Sequence, residues 1–485
     1  MPLDEALLRL DHSHPQQRVR GERVRATLGE LFPLPPEDMP AHPSGRALSV
    51  VLQAVAVCAG VVVLLSRIAR VPAWDSIYAE DYGVFLVQAF QHPWRLLVPY
   101  NGYLQLVPRL IGQFASLLPL TAAAEVFALT GALIAVGCAL VTYHASAGFI
   151  RSRGLRAVLG AALVLLPIAP LEIVGNGVNT PWYIMVALFW AVLWRPRTRV
   201  GMAVAATIAF TAVSSVPLAG LYAPLLIIRV FTLPRLREHA VTAGWLAGWA
   251  LQVPVIVSTY ASHTQRLGAP APLGQAVAYY FHTVVLRALG WRLSWHLESF
   301  AGQTGATVIV GAFLAVVLGW AMITQGRQVR VFVVTAVLTG FVYTVVAAVI
   351  TTYVVREAPL VSPVSFEPGS RYSVLPIVLL DAAAIIAVDA FIRRGAATIR
   401  RGAAAGSAAA TVRPQAIVAV AALGCVLAVG WVTDFRYATQ RTTDGWWRPV
   451  AVAMLNTCEH SRTGTISMRA WHQTHVTVPC ARLRR

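Results

Sequence analysis

The chain has 485 residues, of which 57% are hydrophobic and only 12% are charged. A soluble globular domain carries about 25% charged residues, so this composition excludes an ordinary soluble protein and indicates a polytopic membrane protein. All 39 basic residues are arginine, set against 21 acids for a net charge of +18. Arginine in loops between apolar segments accounts for that excess, and no nucleic-acid partner is expected.

The first 46 residues are polar and rich in Arg, Pro and Glu, and they read as a loosely ordered cytoplasmic tail. The apolar run that starts near Ala47 lies too far into the chain for a cleaved signal and reads as a retained anchor. Eleven apolar segments follow in chain order: 47–66, 121–144, 157–172, 180–194, 200–214, 216–230, 240–259, 303–324, 331–354, 372–392 and 414–433. Lipid offers no partner to backbone polar groups, so these are expected to be helices. The segments between 180 and 230 are short and are expected to be tilted, broken or covered by neighbours. The fold class is therefore all-α and polytopic. A transmembrane domain over 47–433 lies between the 1–46 tail and a small 434–485 tail.

Charge orders the loops. The alternate connections after the second, fourth, sixth, eighth and tenth segments hold sixteen arginines, while the short loops 173–179 and 215 hold none. Short arginine-bearing loops stay in the cytoplasm, which puts the N-terminus inside, the C-terminus outside and the protein in the cytoplasmic membrane. Arg67 and Arg70 oppose that orientation, as do the arginines of the C-terminal tail. Cys58, Cys138 and Cys425 fall in apolar segments and read as packing residues. Cys458 and Cys480 fall in the polar tail, where an oxidising compartment would join them. His460, His472 and His475 in that tail have no convincing zinc spacing.

The same orientation leaves two long outer loops, 67–120 and 260–302, and a medium one, 355–371. In "YAEDYGVFLVQAF", Tyr82, Phe85, Leu86, Ala89 and Phe90 make one helical apolar face, with Asp81 where an N-cap would stand. In "YLQLVPRLIGQFASLL", Gln105, Arg109 and Gln113 form a polar stripe, and Tyr103, Leu106, Val107, Leu110, Phe114 and Leu117 cover the other side. This is the pattern of a helix lying in the membrane interface, with Pro108 kinking it or marking its start.

Each polar candidate has two readings. Asp81 and Glu80 either cap a helix or supply a carboxylate that takes a proton from a hydroxyl. "EIVGNGVNTPWY" gathers Glu172, Asn176, Asn179 and Trp182 in a polar turn that either caps two helices or turns its two amides and indole toward sugar or phosphate hydroxyls. Arg371 and Tyr372 in "EPGSRYSVLP" either anchor the chain in the interface or grip a lipid phosphate. His263, Arg266, His282, Arg287, Arg292, His296 and Glu298 of the second long loop rank lower. Within the apolar segments, Asp389 is expected to pair with Arg393 four residues on. Asp381 has no local partner and is a candidate in its own right. Glu125 is close enough to the outer end of its segment to join an outer site.

The stretches "YAEDYGVFLVQAF", "PYNGYLQLVPRL", "NGVNTPW" and "GSRYSVLP", set in this architecture, resemble the GT-C superfamily of membrane glycosyltransferases, in an actinobacterial form. The likeness extends over 47–433 and its motifs are short. It implies transfer of a sugar from a polyprenyl-phosphate donor to a cell-envelope glycan, lipid or protein on the outer face of the membrane. It implies Asp81 or Glu80 as the base and Arg371 at the donor phosphate; Arg109, Tyr103, Asn176, Asn179, Trp182 and Tyr372 are the further substrate-binding candidates. Some members bind a divalent metal and others need none. The competing readings are a transporter or flippase for a lipid-linked glycan, centred on Asp381, and a non-catalytic partner in envelope synthesis.

Overall fold

The computed structural model describes residues 23–36, 43–267, 270–351, 370–404, 414–437, 445–461, 463–469 and 475–483. Each of the eleven apolar segments is helical over at least part of its length. The main helices are α1 (Pro43–Ser66), α2 (Asp81–Leu86 with π winding, continuing into Val87–Gln91), α3 (Leu106–Ala115), α4 (Ala123–Ala145), α5 (Arg153–Val164), α6 (Thr180–Leu193) and α7 (Arg199–Val213). They continue with α8 (Ala223–Thr232), α9 (Ala240–Leu267), α10 (Trp291–Thr324), α11 (Arg327–Ile350), α12 (Val374–Ala404), α13 (Pro414–Thr433) and α14 (Trp447–Glu459). Among the described residues, six helical stretches are long and apolar enough to cross a bilayer: Ala47–Ser66, Leu120–Gly148, Leu236–Tyr260, Trp291–Thr324, Arg327–Ile350 and Ser370–Gly395. The architecture is that of a helical polytopic membrane protein.

The shorter elements have local causes. The segment expected over 157–172 breaks after Val164, and only Ala169–Glu172 resumes as a single turn; Pro167 and Pro170 remove the amides a continuous helix needs. The long α10 is interrupted at Gly302, whose φ of 69° is not helical. That break coincides with the expected boundary between the second long loop and the apolar segment that starts at 303. In α3, Pro108 falls in the first turn, where its missing N–H costs no intrahelical bond.

Every residue of α6 is buried, and this helix is the centre of the bundle. Trp190 of α6 stacks on Phe332 of α11 with ring centroids 5.4 Å apart. Helices α4, α7 and α12 pack on α6. α1, by contrast, keeps much of its apolar surface outward, with Val50, Val51, Leu52 and Val62 all more than half exposed.

The bundle has two polar faces. On one, residues 23–36 fold against the arginine-bearing loops: Arg195 and Arg197 donate to the carbonyls of Phe32 and Pro35, and the Arg229 guanidinium lies over the Phe32 ring. This part of the tail was expected to be loosely ordered, yet Leu31 and Phe32 are buried. On the other face lie the 67–120 loop, the 172–179 turn, Arg371 and the C-terminal tail. Trp447 of α14 donates through its indole to Leu120 O at 2.9 Å and packs on Tyr82. The tail also contains an antiparallel hairpin, β1 (Thr465–Arg469) and β2 (His475–Pro479), whose register pairs Ser467 with Thr477. Gln91 and Arg482 bind that hairpin and its end to α2. Cys458 and Cys480 are joined as a disulfide, tying α14 to the end of the hairpin.

Two arginines act as carbonyl clamps. Arg67 is fully buried and donates to Val164 O at 2.7 Å and Leu166 O at 2.8 Å, where α5 ends. Arg229 likewise holds Val192 O and Glu238 O at the other face. Arg67 therefore satisfies the open end of a helix, which accounts for an arginine directly after the first span.

The close approach of α4 to the 172–179 turn requires Gly131, because a Cβ there would lie 2.5 Å from Asn176 O. Gly131→Ala is expected to destabilise the protein by about 1–3 kcal/mol through overpacking. Gly137→Ala in the same helix, where a Cβ meets nothing within 4 Å, should leave the thermal midpoint in detergent unchanged or slightly raised.

Candidate functional site

The second polar face gathers residues far apart in the chain around one turn. Asp81 opens α2 and is fully buried. Its carboxylate does not cap its own helix; Oδ2 accepts from Gly177 N at 2.8 Å and Oδ1 from Val178 N at 2.7 Å. These amides lead into α6, so the acid caps a different element, 96 residues away. A Cβ on Gly177 would lie 2.7 Å from the Phe127 ring and 3.1 Å from Asp81 Oδ1. Glycine is what lets the carboxylate reach the amides.

The 172–179 turn is held by its own polar groups. Asn176 and Asn179 both donate side-chain N–H to Glu172 O, at 2.7 and 3.1 Å, and Asn176 Oδ1 accepts from Asn179 N. Asn179 Oδ1 accepts from the Trp182 indole at 3.1 Å. Both amides and the indole are thus engaged in shaping the turn. Trp182 also presents its ring to Tyr372, with centroids 5.0 Å apart.

Glu172 connects the turn to α12. Its Oε1 accepts from Arg371 Nη1 at 2.6 Å, and its Oε2 accepts from Arg371 N at 3.0 Å and Ser370 Oγ at 3.1 Å. The Arg371 guanidinium also lies over the Tyr372 ring, 5.3 Å from its centroid. A continuous chain of contacts therefore runs from Asp81 through the 176–178 backbone and Glu172 to Arg371. Three of the dispersed candidates, Asp81, Asn179 and Arg371, share one locality.

Glu80 differs from its neighbour. Its Oε2 is shut off from solvent and has no hydrogen-bond partner among the described residues. Burial raises its pKa, opposed by the Arg371 charge and by its own backbone amide, while the Glu172 charge pushes it up further. Tyr78, Tyr100 and Tyr103 stand within electrostatic reach of both Glu80 and Arg371, and burial raises all three phenols. At neutral pH they are therefore hydroxyl groups that can donate to oxygen. Sequence pattern groups Glu172 with the asparagines of its turn but not as a partner of Arg371, and marks Tyr78 and Tyr100 only as interfacial aromatics of the long loop. The aromatic density of the 67–120 loop was the only local signal for the tyrosines, and nothing local marks Glu172 as the partner of Arg371.

The remaining candidates lie elsewhere. Arg109 is held by Gln88 Oε1 at 2.8 Å beside Phe85, in a separate cavity of the same loop. Glu125 pairs with the exposed Arg448 at 2.9 Å. Asp389 binds Arg393 at 2.9 Å and also accepts from Arg151 N and Ser152 N at the start of α5. Asp381, in the middle of α12, makes no hydrogen bond or ion pair among the described residues. In the second long loop Arg287 pairs with Glu298 at 2.8 Å, and His282 meets Thr307. The side chains of His263 and Arg266, and the loop up to residue 369, lie outside the described residues.

Among the described residues no three His, Cys, Asp or Glu side chains converge as metal ligands. The oxygens of Asp81 and Glu172 are engaged by backbone amides, Ser370 and Arg371, a donor set that does not fit a divalent cation. No protein family, no curated protein and no solved structure matches the chain.

The two acids should separate in a stability measurement. In Asp81→Asn one oxygen that accepts an N–H becomes a donor, so a loss of about 1–3 kcal/mol is expected. Glu80→Gln should not lower the thermal midpoint, because it removes a buried charge. Since the folded pKa of Glu80 is raised, its contribution to stability is full below the ordinary carboxylate pKa and is lost as pH rises through the raised value. That component of the pH–stability curve should vanish in Glu80→Gln.

Proposed function

We propose that this chain is an integral membrane glycosyltransferase of GT-C type, moving a sugar from a polyprenyl-phosphate donor to a cell-envelope acceptor at the outer face of the cytoplasmic membrane. The observation that carries this reading is the Glu80 carboxyl. One of its oxygens is shut off from solvent with no hydrogen-bond partner among the described residues, and the Arg371 cation and three phenols stand within electrostatic reach. A carboxylate with a raised pKa suits proton removal from a hydroxyl near neutral pH.

The topology belongs to the proposal. Eleven crossings leave an even number between the 67–120 loop and the C-terminal tail, as their contact through Trp447 and Arg482 requires. The arginine-bearing face, which also carries residues 23–36, is then cytoplasmic. The Cys458–Cys480 disulfide suits an oxidising outer side.

In this mechanism Glu80 takes the proton of the acceptor hydroxyl as its oxygen attacks the anomeric carbon. The bond from that carbon to the donor phosphate oxygen breaks, and the polyprenyl phosphate leaves with the electron pair. Arg371 stabilises the developing phosphate charge. Asp81 acts by position: it fixes the 177–178 backbone, and through that turn Glu172 and Arg371. Within the acidic pair, Glu80 is accordingly the base and Asp81 the positioning residue. The mechanism needs no second acid, because phosphate is already a competent leaving group.

A transporter for a lipid-linked glycan is the second reading, and Asp381 in mid-helix is the observation that favours it. Sugar transfer by purified protein in lipid separates the two. Glu80→Gln is expected to lower the transfer rate on the order of 10²–10⁴-fold, with Asp381→Asn near wild type. Undiminished transfer in both Glu80→Gln and the double variant with Asp81→Asn would sink the base assignment. Substrate flux in proteoliposomes that depends on Asp381 alone would establish the transporter. Arg371→Gln, by removing the cation that holds the Glu80 pKa down, should move the acid limb of the pH–rate profile to higher pH.

A further inference from the structure

The polar stripe of α3 faces inward. Gln105, Arg109 and Gln113 are 6%, 5% and 4% exposed, while Leu110 and Phe114 on the opposite side are 43% and 51% exposed. Arg109 borders a cavity of about 230 Å³ whose lining includes Phe85, Gln88, His92, Arg95 and Leu96. Only Nη1 of its guanidinium is bonded, to Gln88; Nε and Nη2 are buried with no hydrogen-bond partner among the described residues. These two nitrogens form the edge that binds a carboxylate or phosphate with two parallel hydrogen bonds.

The charge has no counterpart. No acid occurs between Tyr82 and Ala124, and no described acid forms an ion pair with Arg109. Burial lowers its pKa only to about 10, so it remains a cation at neutral pH. A buried cation facing one neutral amide is costly unless an anion joins it. Arg95 and His92 stand at the same cavity and add cationic character, again without an acid. The turn carrying Arg95 is held in place. Trp94 has a φ of 62°, rare for a bulky residue, and its N–H donates to Gln113 Oε1 at 2.6 Å.

The surroundings are apolar and outward-facing. Trp94 and Leu97, 64% and 56% exposed, are the chain neighbours of the lining residues Arg95, Leu96 and Val98. A cationic pocket set in such a surface matches an amphiphile with an anionic head.

We propose that this pocket is a binding site for the phosphate headgroup of an anionic bilayer lipid. Arg109 grips two phosphate oxygens, Arg95 closes over the head, and Trp94 and Leu97 carry the chains. The site is separate from the Glu80–Arg371 cluster, and the inference does not depend on the transfer chemistry. Because Phe85 and Gln88 belong to α2, a bound head also steadies the helix that begins beside Glu80.

The test uses the full chain in phosphatidylcholine nanodiscs with and without phosphatidylglycerol, reading retained lipid by native mass spectrometry and the thermal midpoint. Phosphatidylglycerol should be retained in preference to phosphatidylcholine and should raise the midpoint. Arg95→Gln should weaken retention about tenfold, as expected for loss of one charge-assisted contact, without unfolding the protein, since that side chain is exposed. Arg109→Gln should abolish the preference and, by removing an uncompensated buried charge, should not lower the midpoint in pure phosphatidylcholine. Equal retention of the two lipids, or a preference that survives both variants, overturns the proposal. An equal midpoint shift with inorganic phosphate alone also overturns it, in favour of a soluble-anion site.

Discussion

The polar face that holds the 67–120 loop depends on one interaction: the Asp81 carboxylate, fully buried, accepting the amides of Gly177 and Val178. The start of α2 and the entry to α6 lie 96 residues apart in sequence, and this carboxylate ties them together. Backbone amides at a buried helix entry are costly when unpaired, and water is scarce in a membrane protein's interior. A charged acceptor meets that need with two bonds stronger than neutral ones. Once the 177–178 backbone is fixed, Asn176, Asn179, Glu172 and finally Arg371 follow through direct contacts.

The same device recurs. Asp389 accepts the amides of Arg151 and Ser152, Asp434 those of Trp291 and Arg292, and Asp75 that of Arg448. Arg67 and Arg229 do the converse at helix ends, donating to carbonyls. In a chain with 21 acids, an acid without such a duty stands out. Glu80 is one of these, in contrast with Asp81 next to it, whose two oxygens are both engaged. Asp381 is another, and it lies in mid-helix rather than in the cluster around Arg371.

The 67–120 loop is clamped from two sides. The 172–179 turn holds the start of α2, and the C-terminal tail holds its end and its aromatic face through Arg482, Gln91 and Trp447. The disulfide closes that tail on itself. On the same loop lies the Arg109 cavity, whose buried cation has no acidic partner among the described residues. Strong fixation of the acids and an unmet charge beside them are two consequences of the same scarcity of water.

Composition and periodicity determined the membrane class, the helical state of the apolar segments, the helices of the 67–120 loop and the two cysteines set apart in the polar tail. Each of these depends on residues within about one helical segment, where lipid or interface imposes a local pattern. The hairpin in the tail and the buried residues 31–32 escaped that reading, because their order comes from docking rather than from local pattern. Only the tertiary structure decided which acid of the Glu80–Asp81 pair is engaged, that Glu172 is the partner of Arg371, and that Arg67 serves a helix end. It alone turned the polar stripe of α3 inward. Hydrogen bonds and charges act over a few ångströms of space, and the groups they join here lie about a hundred residues or more apart in the chain.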